Sequence, residues 1–376
     1  MSKKVKKVVI APDKFKGTLS AKTVCKAIDA GLKKFDPQIE TIHHPLADGG
    51  DGSLEILSKH LQIKGVKCPS QDPLGRPITC EYFVSDTTAF IEIASASGLV
   101  LLSESERNAA TTSTYGTGLL IKDAIEKGKR EIVLFLGGSA TNDAGIGIAQ
   151  ALGFRFFDQN NEVLDPTGEN LIRIQKIQKS TIDILNDIEF TLLVDVKNPL
   201  YGPNGAAYVY AQQKGADQEG IKRLDDGLRS FATILKNQTG KDISNLPGGG
   251  AAGGIAAGLV AMLNAQIKTG IDSIIELTNF EKELKDADLV ISGEGRLDSQ
   301  SLQGKVVKGV SELCKKHHKN LALFVGISSI DQQSAHDLSP YPVNQIMNLA
   351  KNQKDAFENG NKYLEELAFL FAKKYF

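Results

Sequence analysis

The run Ser292-Gly293-Glu294-Gly295-Arg296-Leu297-Asp298-Ser299-Gln300, continuing to Gly304-Lys305, holds the densest set of side chains able to do chemistry. An arginine fork can clamp a carboxylate through two parallel N–H bonds, so Arg296 is a candidate substrate-binding group, with Gln300 beside it. Asp298 can bind hydroxyls or a metal, and Lys305 can meet a phosphate as a point charge. Asp13, Lys14 and Lys16 sit in a similar loop ahead of Gly17. There Lys14 suits a phosphate or a substrate carboxylate. In Asp48-Gly49-Gly50-Asp51-Gly52-Ser53 two aspartates lie three apart in a glycine bend. Asp48 and Asp51 can bind substrate hydroxyls or hold Mg²⁺ through its waters; Asp51 or Ser53 can instead cap the next helix.

Two more loops complete the set. Gly137-Gly138-Ser139-Ala140-Thr141-Asn142-Asp143 follows a strand-like run and offers backbone donors, two hydroxyls and an amide to an anion. Asp143 can also cap the helix behind it. No Gly-x-Ser-x-Gly elbow surrounds Ser139, which argues against a serine nucleophile. Asp195 ends an apolar run, where a carboxylate needs a reason. General base toward a substrate hydroxyl is one reason, Mg²⁺ ligation a second, and a structural hydrogen bond a third.

These loops need elements to position them. Val5–Ile10, Thr41–Pro45, Glu131–Leu136, Phe190–Val194, Asp288–Ser292 and Asn320–Val325 read as short strands, Glu131–Leu136 and Phe190–Val194 of the buried type. Helices are predicted after Ser20, from residue 54, over 217–236, over 251–264 and over 353–374. Residues 69–98 alternate instead and read as hairpin strands. Strand–helix alternation predicts an α/β fold with a parallel, doubly wound sheet. The rhythm is shared by the two ends and broken in the middle. The expected organisation is therefore a discontinuous domain, 1–68 plus 288–376, with an α/β domain, 69–287, inserted.

The chain carries 36 glycines among 376 residues, and they concentrate in these loops and in Gly248–Gly254. Most follow a strand and precede a helix, at the sheet edge where α/β proteins bind ligands. Glycine there lets backbone N–H groups approach an anion, so Gly137, Gly138, Gly249 and Gly250 are candidate phosphate-binding positions with Ser139, Thr141 and Asn142. Gly248-Gly249-Gly250-Ala251-Ala252-Gly253 matches G-x-G-x-x-G literally. It follows Asn245-Leu246-Pro247 and not a strand, so a dinucleotide fingerprint is rejected. No Walker A motif is present.

Composition narrows the class. Charges balance to a formal net of −1, aromatics are 6 % and Trp is absent. A nucleic-acid binder is not indicated. Cys25, Cys68, Cys80 and Cys314 lack metal-ligand spacing and read as reduced core thiols. No signal peptide or membrane span is read, so a cytoplasmic enzyme, monomer or homodimer, is expected.

Together, Val9–Ala21, Ala47–Gly52, Gly137–Asp143, Asn198–Gly205, Pro247–Gly254 and Gly293–Lys305 resemble the type I bacterial glycerate kinases, block for block and in order. The resemblance implies ATP- and Mg²⁺-dependent phosphorylation of D-glycerate, giving 2-phosphoglycerate rather than 3-phosphoglycerate. It also implies a flavodoxin-like doubly wound domain interrupted by a second α/β domain, with the active site in the interdomain cleft. Applied to these residues, it makes Asp195, Lys14 and Asp298 catalytic. Asp48, Asp51, Arg296 and Gln300 would bind glycerate. The glycine loops and Lys305 would bind ATP, and Asp48 and Asp195 the metal. Ala144 departs from a usual glycine, Leu119 from a usual acid, and Val325–Ile330 from the usual strand and loop. Two other readings are a different small-molecule kinase, such as a galactokinase-like one, and a non-catalytic phosphometabolite sensor.

Overall fold

The computed structural model describes residues 5–50 and 53–376, so Asp51, a candidate substrate ligand, lies outside the described residues. The chain forms two compact units. Unit 1 takes 1–48, 55–60 and 269–376, and unit 2 takes 49–54 and 61–268. These limits differ from the expected 68/69 and 287/288. The strand Lys64–Gln71 pairs along its whole length with Pro77–Val84, so it cannot be cut at 68. The helix Gly270–Leu277 sets Ile271 against Gly309 of the helix Val306–Lys316, which holds it in unit 1.

Unit 1 is built on a five-stranded parallel sheet in the order Glu40–His43, Lys7–Ile10, Leu289–Ser292, Asn320–Val325, Asn344–Gln345. Its central strands are apolar except for Lys7, Ser292 and Asn320 at their ends, as expected of a sheet covered on both faces. Ser20 starts the helix Ala21–Phe35 by accepting from Thr23 N at 3.2 Å. That helix buries Val24, Ile28 and Leu32, spaced four apart, in a core shared with Ile10, Phe324, Leu364 and Phe371.

Unit 2 has a mixed six-stranded sheet. Thr88–Glu92 is its hinge between pairing types: antiparallel to Pro77–Val84 on one side, parallel to Glu131–Phe135 on the other. Glu189–Leu193 and Gln266–Lys268 continue the parallel part. The hairpin expected in 69–98 is thus one edge of a larger sheet. The helix Ala251–Leu263 lies on the loop 141–145 at backbone distance; a Cβ on Gly258 would fall within van der Waals overlap of the Ala144 carbonyl oxygen, at 1.8 Å. Gly258→Ala should therefore cost about 1–3 kcal/mol in denaturant unfolding. A loss below about 0.5 kcal/mol would mean that the helix and loop can separate freely.

No helix among the described residues is long and apolar enough to cross a membrane.

Candidate functional site

Each unit gathers polar residues at the carboxyl edge of its own parallel strands, the edge where ligands bind in such sheets. In unit 1 four loops leave that edge and are stitched together by backbone hydrogen bonds. Asp13 N donates to Gly293 O at 2.9 Å, Leu46 N to Pro12 O at 3.0 Å, and Gly326 N to Glu294 O at 3.1 Å. Ser292 Oγ donates to Ala11 O at 2.8 Å beneath them. Gly293 has no room for a side chain, because a Cβ would lie 1.7 Å from Phe324 O. This glycine serves close packing of the loop on the neighbouring strand.

The stitching brings three carboxylates near one another: Asp13, Asp48 and Glu294. Burial pushes the Asp13 carboxyl up to about 7, and the nearby Asp48 and Glu294 charges push the same way. Glu294 is 8 % exposed and is likewise pushed up to about 7, again first by burial. Its Oε1 has no hydrogen-bond partner among the described residues. An orphaned, buried carboxylate oxygen beside two other acids suits a cation or a hydroxyl that arrives with a ligand. Asp13 and Glu294 were not singled out in the sequence, where each is one acid among 45. Only the pairing of strands 280 residues apart brings them together.

Both acids ordinarily titrate near 4, the value expected in the unfolded chain. Folding thus favours their protonated forms. The stability they allow is fully present below about pH 4 and falls as pH rises to about 7. The ligand-free double variant Asp13→Asn/Glu294→Gln should therefore melt higher than the parent at pH 8, with the gap closing at pH 4–5. Parallel melting curves across that range would refute the pair's titration.

Arg296 and Asp298 flank this cluster. The Arg296 side chain is 71 % exposed, and its Nε lies 3.6 Å from Asp298 Oδ2. Asp298 Oδ1 accepts from Gln300 N at 2.9 Å, and Lys305 Nζ reaches Gln300 Oε1 at 3.4 Å. Arg296, Asp298, Gln300 and Lys305 thus form one local string. Lys14 N donates to Asp13 Oδ1 at 2.6 Å, which places Lys14 beside the carboxylates.

In unit 2 a cavity of about 310 Å³ opens at the carboxyl ends of Glu131–Phe135 and Glu189–Leu193. Gly137, Gly138, Ser139, Asp195 and Lys214 line it. Gly137, Gly138 and Asp195 are exposed, and Ser139 is buried. Lys214 is 3 % exposed; its Nζ donates to Ser139 Oγ at 2.8 Å and to Thr141 O at 2.7 Å. Burial pushes the Lys214 ammonium down to about 7, against the pull of the Asp143 charge. Lys214 closes the short turn Gln212–Lys214 and carries no motif, so the sequence reading missed it.

The other residues of the glycine loop go inward. Thr141 and Asn142 are fully buried, and Thr141 Oγ1 and both polar atoms of the Asn142 amide lack partners among the described residues. The N-cap of the helix Ile146–Ala151 is Gly145 and not Asp143, whose carboxylate instead ties the loop together, accepting from Thr114 N and Oγ1, Gly145 N and Gly147 N. Burial raises the Asp143 pKa against these donors. Gly249 and Gly250 depart from the expected phosphate cradle. Both are buried, and their N–H groups already bond Leu246 O and Asn198 O, at 2.8 and 3.0 Å. Bonded backbone donors have nothing left to offer a phosphate.

Among the described residues no group of three or more His, Cys, Asp or Glu could by itself hold a metal ion. That fits Mg²⁺, which keeps most of its waters and is held by one or two carboxylates together with substrate phosphates. The Glu294 oxygen without a hydrogen-bond partner among the described residues is the carboxylate oxygen of unit 1 that suits such an ion.

Comparisons with known proteins agree along the whole chain. Residues 8–375 match the glycerate kinase family profile. A glycerate kinase of Bacillus cereus is 39 % identical over 365 residues, covering 96 % of each chain. A glycerate 2-kinase of Escherichia coli is 40 % identical over 333 residues, covering 88 % of this chain and 87 % of that one. The crystal structure of a Salmonella typhimurium protein assigned as glycerate kinase 2 superposes with a TM-score of 0.84 at 35 % identity, covering 98 % of both chains. With the sequence matched from the first strand to the last helix and the fold matched over nearly every residue, this chain is an enzyme belonging to the glycerate kinase family.

Proposed function

We propose that this enzyme transfers the γ-phosphoryl group of ATP to the 2-hydroxyl of D-glycerate, releasing ADP and 2-phosphoglycerate. The observation that carries the reading is the cavity of unit 2, where exposed Gly137 and Gly138 meet Ser139 and Asp195 at a sheet edge. Exposed glycine backbone there suits a phosphate chain. The choice of the 2-hydroxyl follows the Escherichia coli relative, a glycerate 2-kinase.

The chemistry is one bond broken and one made. The bond from the γ-phosphorus to the β,γ-bridging oxygen breaks as the glycerate oxygen bonds to that phosphorus. The hydroxyl proton passes to a carboxylate, and Asp195 is assigned as that base. Arg296 holds the glycerate carboxylate, with Asp48, Asp298 and Gln300 toward its hydroxyls, while Lys14 and Lys305 offset anionic charge. Mg²⁺ bound with the nucleotide would neutralise phosphate charge, held by Asp48 or Glu294 together with the phosphates. The strand order of unit 1, in chain terms 2-1-3-4-5, supports a flavodoxin-like domain into which unit 2 is inserted.

Calorimetry with ATP and D-glycerate, run beside an ADP-release assay, tests the reading. Binding of both with glycerate-dependent ADP release is expected. Binding without turnover would overturn it in favour of a phosphometabolite sensor.

A further inference from the structure

Lys214 is an unusual place for a lysine. Lysine is almost never fully buried unless its charge is paired. Here both acceptors of its Nζ, Ser139 Oγ and Thr141 O, are neutral oxygens, and no carboxylate forms an ion pair with it among the described residues. Taking an unpaired cation out of water costs several kcal/mol, a cost that an anion bound beside it would offset. The Asp143 carboxylate does not supply such a charge by contact, since its oxygens are engaged by Thr114, Gly145 and Gly147.

The cavity shows where that charge can come from. Lys214 forms part of its wall, with Gly137 and Gly138 exposed on the same cavity. An ammonium has three donors, and two are used. The third remains for an occupant. Asp195 lines the same space, so an anion seated there must be held against a carboxylate. Glycine backbone alone offers partial charges, whereas a nearby full cation can offset that repulsion. A volume of about 310 Å³ accommodates a polyphosphate chain.

We propose that Lys214 is a substrate-binding residue of this enzyme: its remaining N–H bonds a phosphate oxygen of the nucleotide, while Ser139 and Thr141 hold the ammonium in place. This rests on the nucleotide reading above and adds to it the cation that unit 2 contributes. Ser139 then acts through Lys214 as a positioning residue.

Inorganic tripolyphosphate is the direct probe, because it needs neither glycerate nor turnover. Its affinity, measured by calorimetry, should fall about tenfold or more in Lys214→Met and recover in part in Lys214→Arg, while adenosine affinity stays unchanged. Undiminished tripolyphosphate binding by a folded Lys214→Met would overturn the inference, as would no binding by the parent. If Lys214→Met does not fold, the parent enzyme still decides. Adenosine diphosphopyridoxal carries an aldehyde at its phosphate end; a lysine amine there condenses with loss of water, and borohydride reduces the imine. Peptide mapping should place the label on Lys214, with tripolyphosphate protecting it. Labelling confined to other lysines overturns the inference. The outcomes separate from those for the reaction itself. Glycerate phosphorylation without any role for Lys214 removes only this inference, and Lys214-dependent tripolyphosphate binding without phosphorylation removes only the proposed reaction.

Discussion

Asp195→Asn should lower kcat by about 100-fold or more in a protein that still folds, since positioned proton transfer contributes about 10²–10⁴-fold. The substitution keeps shape and removes only basicity and charge. Asp195 is exposed at the end of the Glu189–Leu193 strand, on the wall of the unit 2 cavity, so its replacement leaves no hole in a core. A loss of about 100-fold corresponds to about 2.7 kcal/mol of transition-state stabilisation. It should appear in kcat with little change in the KM for ATP, because a base acts on the reacting hydroxyl. A kcat within about threefold of the parent would leave under about 0.7 kcal/mol for Asp195, too little for the base.

The second large effect concerns Arg296. Arg296→Ala should raise the KM for D-glycerate by about 10- to 100-fold, the loss of roughly 1.5–3 kcal/mol of hydrogen bonding to a charged group. The KM for ATP should stay within about threefold. The guanidinium is 71 % exposed and its one ion pair among the described residues, to Asp298, is long at 3.6 Å, so it is able to reorganise around an incoming carboxylate. An equal rise in both KM values would mean that Arg296 serves the nucleotide or the fold instead. Arg296→Lys should rescue poorly, because an ammonium cannot present two parallel donors.

Particular residues show what the sequence made legible. The loops carrying Asp13, Asp48, Ser139, Asp195 and Arg296 were readable because each follows a short strand, apolar in all but Glu40–His43, and parallel strands place such loops at one edge of their sheet. Ser20 as an N-cap was readable from local chemistry alone. Lys214 was not, because its turn Gln212–Lys214 reads as ordinary surface polarity and only the fold buries it. The carboxylate pair Asp13 and Glu294 was hidden by sequence distance. Gly249 and Gly250 misled for the opposite reason: the same residue type serves tight packing and anion binding, and only the hydrogen bonds of their N–H groups tell the two apart. Ala144 adopts φ +49°, a left-handed conformation in which a glycine would be unstrained, which gives a physical basis for the glycine usual there in the family. The unit boundary near residue 269 escaped because the helices Gly270–Leu277 and Phe280–Lys285 carry no break in composition to mark them.

Incubation with ATP, Mg²⁺ and D-glycerate, followed by ³¹P NMR of the product, tests the central claim most directly. The account predicts a new phosphomonoester doublet split by a single proton, as on the C2 carbon of 2-phosphoglycerate, growing in step with ADP. A triplet from the two C3 protons of 3-phosphoglycerate would contradict the assigned hydroxyl, and the absence of any glycerate-dependent phosphomonoester would contradict the reaction.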